Sequence, residues 1–172
     1  MADNLDETDI AILGILQQDG RISNSELAQR VGLAPPTVLR RVKLLEERGF
    51  IKGYVALVDP LAVGLTVTAF IFVETTAGSD LDTVANDLAK FSDVQEVYRL
   101  IGEWCFLLKV RSADPQTLED LVYKQLRRHP GVRRTVTTLA TSAAFETTAV
   151  PLPGIPSTHT GMPLGTAATN EA

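Results

Sequence analysis

Between Pro35 and Lys52 lie five basic residues, Arg40, Arg41, Lys43, Arg48 and Lys52, against only Glu46 and Glu47, so a short stretch is positively charged within an acidic chain. Guanidinium and ammonium groups clustered in this way suit nucleic-acid phosphates. A guanidinium near the start of a helix can in addition pair bidentately with guanine in the major groove. The whole chain carries a formal net charge of -5 with a pI near 5.0, and that average argues against phosphate contact. The local distribution decides the matter, because a binding face needs only its own cations.

Those side chains must be carried by an element that separates them from a core. Ser23-Asn24-Ser25-Glu26 predicts a capping box, with Ser23 accepting from the amide three residues on and Glu26 reaching back, followed by a helix to about Val31. Gly32-Leu33-Ala34 makes a turn. Pro35 and Pro36 then open a further helix, where first-turn amides have no intrahelical partner and proline is tolerated. This helix is expected to end near Gly49. Val38, Val42 and Leu45 fall on one face at i, i+4 and i+7, leaving Pro36, Arg40, Lys43 and Glu47 opposite, with Thr37 and Arg41 flanking. Ser23 to Arg48 therefore reads as a helix-turn-helix, whose second helix enters the major groove. Thr37 and Arg40 are the candidates for base edges, Arg41, Lys43 and Arg48 for phosphates, with Ser23, Asn24 and Pro36 completing the DNA-binding set.

Other chemistries find little support. The histidines are His129, beside Pro130, and His159 near the C-terminus, so no cluster is available to ligate a metal or to activate a nucleophile. Glu119 and Asp120 read as a solvated helix face, and no glycine-rich phosphate loop is found. No catalytic residue, metal site or cofactor is expected. Cys105 is the one cysteine, and a lone cysteine between Trp104 and Phe106 reads as a small core residue rather than a thiol switch. No run approaches the roughly 18 apolar residues that span a bilayer, and MADNLDETD is acidic where a signal peptide is basic, so a cytoplasmic protein without membrane contact is expected.

Ahead of the helix-turn-helix, Ile10, Leu13 and Leu16 predict a first helix over Leu5–Leu16, capped by Asp6 and stopped by Gly20. Ile51–Val58 predicts a strand, and Asp59-Pro60 breaks it. Strands are then expected over Thr66–Thr75, Val94–Ile101, Trp104–Val110 and Val132–Ala140. One helix lies between the first two strands, with Leu81, Val84, Leu88 and Phe91. A second lies between the last two, opened by Asp114 and Pro115, with Leu118, Leu121, Val122 and Leu126. The order βαββαβ is a ferredoxin-like α+β arrangement. Val67, Ala69, Ile71 and Val73 point to one side of the first strand, Phe70 and Phe72 to the other. Helices on one face leave the second set open, and self-association into at least a dimer is the expected remedy. The predicted organisation is a DNA-binding domain over 1–58, a linker over 59–65, an oligomerisation domain over 66–146 and a tail over 147–172. The tail holds four prolines, three glycines and six threonines, a composition that predicts disorder.

The stretches LDETDIAILGILQQDGRISNSELAQRVGLAPPTVLRRVKLLEERGFIKGYVALVDP, TVTAFIFVE, RLIGEWCFLLKV and HPGVRRTVTTLAT resemble the Lrp/AsnC family of leucine- and asparagine-responsive regulators over about Leu5 to Phe145. The resemblance implies a winged helix-turn-helix joined to a βαββαβ domain that forms homodimers and assemblies up to octamers, regulates transcription at palindromic double-stranded operators, and in many members senses amino acids. It also implies an effector site near the turn between the second and third strands of the second domain, where the family carries threonine-glycine-x-aromatic-aspartate. Here that run is Ile101-Gly102-Glu103-Trp104-Cys105. Gly102 and the aromatic Trp104 are kept. Ile101 replaces the threonine and Cys105 the aspartate, which removes an acceptor for an α-ammonium group and leaves open an amino acid, another small molecule or no effector. A second reading takes the chain as a small-molecule-binding or enzymatic ferredoxin-like protein with the helical unit as an assembly arm; Arg40 and its basic neighbours are the feature that separates the two.

Overall fold

The computed structural model describes residues 5–155, so His159 and the end of the predicted tail lie outside the described residues. Within that range the chain divides into two units: Leu57–Ala143, and an N-terminal unit reaching to Ala56 that residues from Ala144 onward rejoin.

The N-terminal unit is built on three helices, α1 (Glu7–Gln18), α2 (Asn24–Val31) and α3 (Pro35–Glu47). Asp6 caps α1 by accepting from the Asp9 amide at 2.8 Å. The predicted stop at Gly20 is not made by that residue, since the helix ends on Asp19 in extended conformation. Ile12, Leu13, Leu27, Ala28, Val38, Val42 and Leu45 interlock as one buried core, which is the apolar face expected of α3 meeting α1 and α2. After α3, Gly49 takes φ +76 and the Phe50 amide turns back to the Leu45 carbonyl at 2.9 Å, closing the helix end by a left-handed glycine.

The strand expected over Ile51–Val58 is not formed. The segment enters no ladder, and Val55 is 84% exposed. Among the described residues no strand stands beside it to satisfy its amides and carbonyls, and a lone segment gains nothing from β-propensity.

The second unit is a four-stranded antiparallel sheet, β1 (Val67–Thr75), β2 (Val94–Arg99), β3 (Phe106–Ser112) and β4 (Val132–Ala140), in the order β2-β3-β1-β4. Helix α4 (Leu81–Leu88) lies between β1 and β2. Helix α5 (Pro115–Asp120) follows β3 and continues through a wider turn, Leu121–Gln125, and a tighter one, Leu126–Arg128. This is the ferredoxin-like arrangement expected. Asp80 and Asp114 cap the two helices. Ala69, Ile71, Val73, Phe106, Leu108 and Val110 are fully buried against Val84, Leu88, Leu118, Leu121 and Leu126. Phe91, expected within the first of these helices, packs on the same core from beyond its end.

The opposite sheet face is uncovered within the unit. Phe70 and Phe72 stand half-buried there, with Tyr98 and Val136 exposed. The register places Leu107 and Val136 on either side of Phe72. Such a contiguous apolar face is characteristic of an association surface.

Candidate nucleic-acid interface and effector turn

Local chemistry sets up the helix-turn-helix. Ser23 Oγ accepts from the Glu26 amide at 3.1 Å, half of the predicted capping box. The other half is replaced, because the Glu26 carboxylate takes the Arg30 guanidinium one turn on at 2.6 Å. Gly32 adopts φ 68, which lets the Leu33 amide return to the Ala28 carbonyl at 3.0 Å and reverses the chain into α3. Pro35 and Pro36 occupy the first turn, and no side chain caps it. The prolines have no amide to satisfy, and the Thr37 and Val38 amides return to the Ala34 carbonyl at 2.9 and 3.2 Å.

The predicted DNA-binding residues divide into distinct environments. Arg40 is exposed and has no ion-pair partner among the described residues. Pro36, Ser23 and Asn24 are exposed, and Thr37 is half-buried. Lys43 is exposed and only loosely paired, its Nζ 3.8 Å from Glu47. Arg48 is exposed and likewise unpaired among the described residues.

Arg41 differs. Its guanidinium lies 2.7 Å from Asp6 and 2.6 Å from Asp9, only 26% exposed. Bonds to Asp6 and Asp9 hold its pKa above the ordinary arginine range. The amide of Asp9 and then the Arg41 guanidinium hold the Asp6 carboxyl below its ordinary value. Arg41 therefore fastens α3 to the start of α1, so its guanidinium, unlike that of Arg40, is already engaged within the chain. The aspartates responsible lie more than thirty residues away in the sequence, so local spacing does not reveal them. Two exposed cations outside the predicted set, Arg21 and Lys52, flank the motif.

The second candidate site is the β2–β3 connection. β2 stops at Arg99 and β3 begins at Phe106, shorter than expected on both sides. The Leu100 amide bonds the Cys105 carbonyl and the Cys105 amide bonds the Val73 carbonyl, each at 2.9 Å. Gly102 takes φ +145 with open space around it, as a turn that excludes a side-chain-bearing residue requires. Ile101 is fully exposed at the tip.

The turn's aromatic and acidic residues share a corner with residues that sequence spacing does not reveal. Arg134 stacks 4.4 Å over Trp104 while donating to Glu74 and Glu103, each at 2.9 Å. Glu103, then Glu74, raises the arginine's pKa above its ordinary value. Phe72 packs on Trp104 with centroids 5.9 Å apart. Cys105 is half-buried with its Sγ 3.1 Å from Thr75 Oγ1. Arg134 is paired with Glu74 by the β1–β4 register, information that lies in the sheet alignment and not in any local motif. Five candidates for the effector site thus form one turn, with Phe72, Glu74, Thr75 and Arg134 beside it.

Elsewhere, His129 Nδ1 accepts from the Gly131 amide at 3.0 Å and its Nε2 lies 3.2 Å from Asp87, which fixes the turn into β4. Among the described residues no group of three or more His, Cys, Asp or Glu is placed to hold a metal, and no helix is long and apolar enough to cross a membrane.

Comparison with known proteins matches a family to each part of the chain. Residues 5–52 match the winged helix-turn-helix DNA-binding family and residues 68–150 the Lrp/AsnC ligand binding domain. The chain is 36% identical over 148 residues to the HTH-type transcriptional regulator FL11 of Pyrococcus horikoshii, covering 86% of this chain and 97% of that protein. It is 38% identical over 136 residues to the leucine-responsive regulatory protein of Escherichia coli, covering 78% and 83%. The crystal structure of a Neisseria meningitidis transcriptional regulator in complex with L-methionine superposes with a TM-score of 0.83 at 36% identity, covering 87% of this chain and 98% of that one. With a capped helix-turn-helix whose outer face carries an exposed arginine, followed by a matching ligand-binding domain, the chain belongs to the Lrp/AsnC family of DNA-binding transcription regulators.

Proposed function

We propose that the protein reads a palindromic double-stranded operator through α3 of two protomers. The observation that carries this is Arg40, exposed on the outer face of α3 without an ion-pair partner among the described residues. Thr37 and Arg40 meet base edges and Pro36 seats the helix start. Ser23 and Asn24 at the head of α2, with Lys43 and Arg48, meet phosphates. Arg21 and Lys52 join that phosphate set, while Arg41 serves by orienting α3. Two protomers associate through the open face around Phe70, Phe72 and Val136, which brings a second recognition helix to the same duplex, and dimers assemble further, up to an octamer.

The turn from Ile101 to Cys105 is the proposed effector site. The Neisseria relative binds L-methionine, which favours an amino acid or a molecule of similar size here. Arg134 beside Trp104 supplies a cation for a carboxylate, yet Glu74 and Glu103 already occupy it, so a carboxylate ligand must displace one of them. The role is regulatory and non-enzymatic, in the cytoplasm where the operator is. Selection of bound duplexes from a random pool tests the reading: a two-fold-symmetric consensus is expected, and recovery of no consensus contradicts it.

A further inference from the structure

The segment that rejoins the N-terminal unit is built to dock there. Gln17, at the end of α1, grips the backbone of Val150 from both sides: its Nε2 donates to the Val150 carbonyl at 3.2 Å and its Oε1 accepts from the Val150 amide at 2.6 Å. Leu152-Pro153-Gly154-Ile155 then reverses direction. Pro153 stands second, Gly154 third with φ +74, and the Ile155 amide returns to the Leu152 carbonyl at 3.3 Å, the signature of a type II turn. The turn brings both flanking side chains onto α1. Leu152 packs against the buried core of the unit. Ile155 fills the space left by Gly14, where a Cβ would stand 2.7 Å from Ile155 Cδ1. Glycine in the middle of a helix costs helix stability, and here its missing side chain admits the returning segment. A composition that predicts disorder thus has its first residues ordered by specific contacts. The match to the ligand-binding family ends at residue 150, so Leu152 and Ile155 belong to neither assigned domain.

We propose that Val150–Ile155 is a strap, a second tether that limits how the helix-turn-helix unit turns relative to the domain carrying it. The chain leaves this unit after Ala56 and re-enters it at Ala144, so with the strap docked two covalent connections join the units in place of one. A body held by a single unpaired segment such as 51–58 sweeps a wide range of orientations; a second attachment removes much of that freedom. For a dimer on DNA, the orientational range sets the effective concentration of the second helix at its half-site, and hence which half-site spacings are tolerated. The strap grips α1 at Gly14 and Gln17, a different helix from α3, so it acts as a tether without serving as a mask of the DNA face. This inference rests on the operator reading above.

Two readouts separate the inferences. Hydrogen exchange on the full chain reports docking without DNA: the Val150 and Ile155 amides are expected to be protected, and to exchange at least about tenfold faster in Gln17→Ala and Gly14→Leu. Gly14→Leu is informative because leucine is the better helix former while its side chain takes the space of both Ile155 and Leu152, whose Cδ1 atoms lie 2.7 and 3.9 Å from a Cβ at this position, so accelerated exchange at the tail without loss of α1 protection marks displacement of the strap and not unfolding. Binding to a selected palindrome with its half-sites moved apart by successive base pairs reports the tether. The full chain and a control ending at Ile155 are expected to prefer one spacing, and Gly14→Leu and a chain ending at Ala149 to flatten that preference about tenfold. Unprotected Val150 in the wild-type chain overturns docking, and an unchanged spacing profile despite accelerated exchange overturns the tether. Failure of the wild-type chain to bind at every spacing overturns the operator reading, with exchange still deciding whether the strap docks.

Discussion

At the residue scale, the two neighbouring arginines of α3 separate structure from recognition. Arg40 reaches solvent, whereas Arg41 turns back to Asp6 and Asp9. Arg41→Ala removes charge-assisted hydrogen bonds from a half-buried site and is expected to destabilise the N-terminal unit by about 1–3 kcal/mol, seen in chemical denaturation, with little change in the salt dependence of DNA binding. A marked loss of salt dependence at unchanged stability would instead return Arg41 to the phosphate contacts. Asp6 predicts the pH response of the same clasp. Its pKa is depressed by the Asp9 amide and by Arg41, so its contribution is complete above the unfolded value and is lost as pH falls through the lower folded value. Unfolding midpoints measured across the acid range are therefore expected to fall less steeply in Asp6→Asn than in the wild-type chain.

At the element scale, helices with strong local signals are legible in the sequence and ladders are less so. Asp6, Ser23, Asp80 and Asp114 each cap a helix through backbone amides two to three residues on, and such short-range chemistry survives any tertiary context. The strand at Ile51–Val58 fails for the opposite reason: its apolar residues carry β-propensity, but a ladder needs a partner that one chain does not place beside it. The effector turn shows the same division. Gly102 and Trp104 are legible as turn glycine and aromatic, whereas Arg134, which caps the aromatic, arrives only through the pairing of β1 with β4. The open face of that sheet carries its own prediction. Phe72→Asp places a charge among Leu107, Val136 and Trp104, and light scattering is expected to show a smaller assembly with the secondary structure retained; an unchanged mass would place the association surface elsewhere.

At the scale of the whole molecule, we propose that an acidic chain binds an anionic polymer through one local basic face, with the second domain supplying the second copy of that face. On the proposed function, a ligand at the β2–β3 turn would act through assembly. Mass and operator affinity measured across a panel of amino acids are expected to change for the cognate ligand, and Glu103→Gln is expected to alter the ligand response by loosening Arg134; a flat panel would confine the turn to a structural role. The most direct test of the account is operator affinity as a function of salt for the wild-type chain, Arg40→Ala and Lys43→Ala. Arg40→Ala is expected to cost about 1–3 kcal/mol at the cognate site and to blunt discrimination against altered sites, while Lys43→Ala weakens all duplexes alike and lowers the salt slope by about 1. Affinity and slope that match the wild-type chain in both variants would contradict recognition through the outer face of α3.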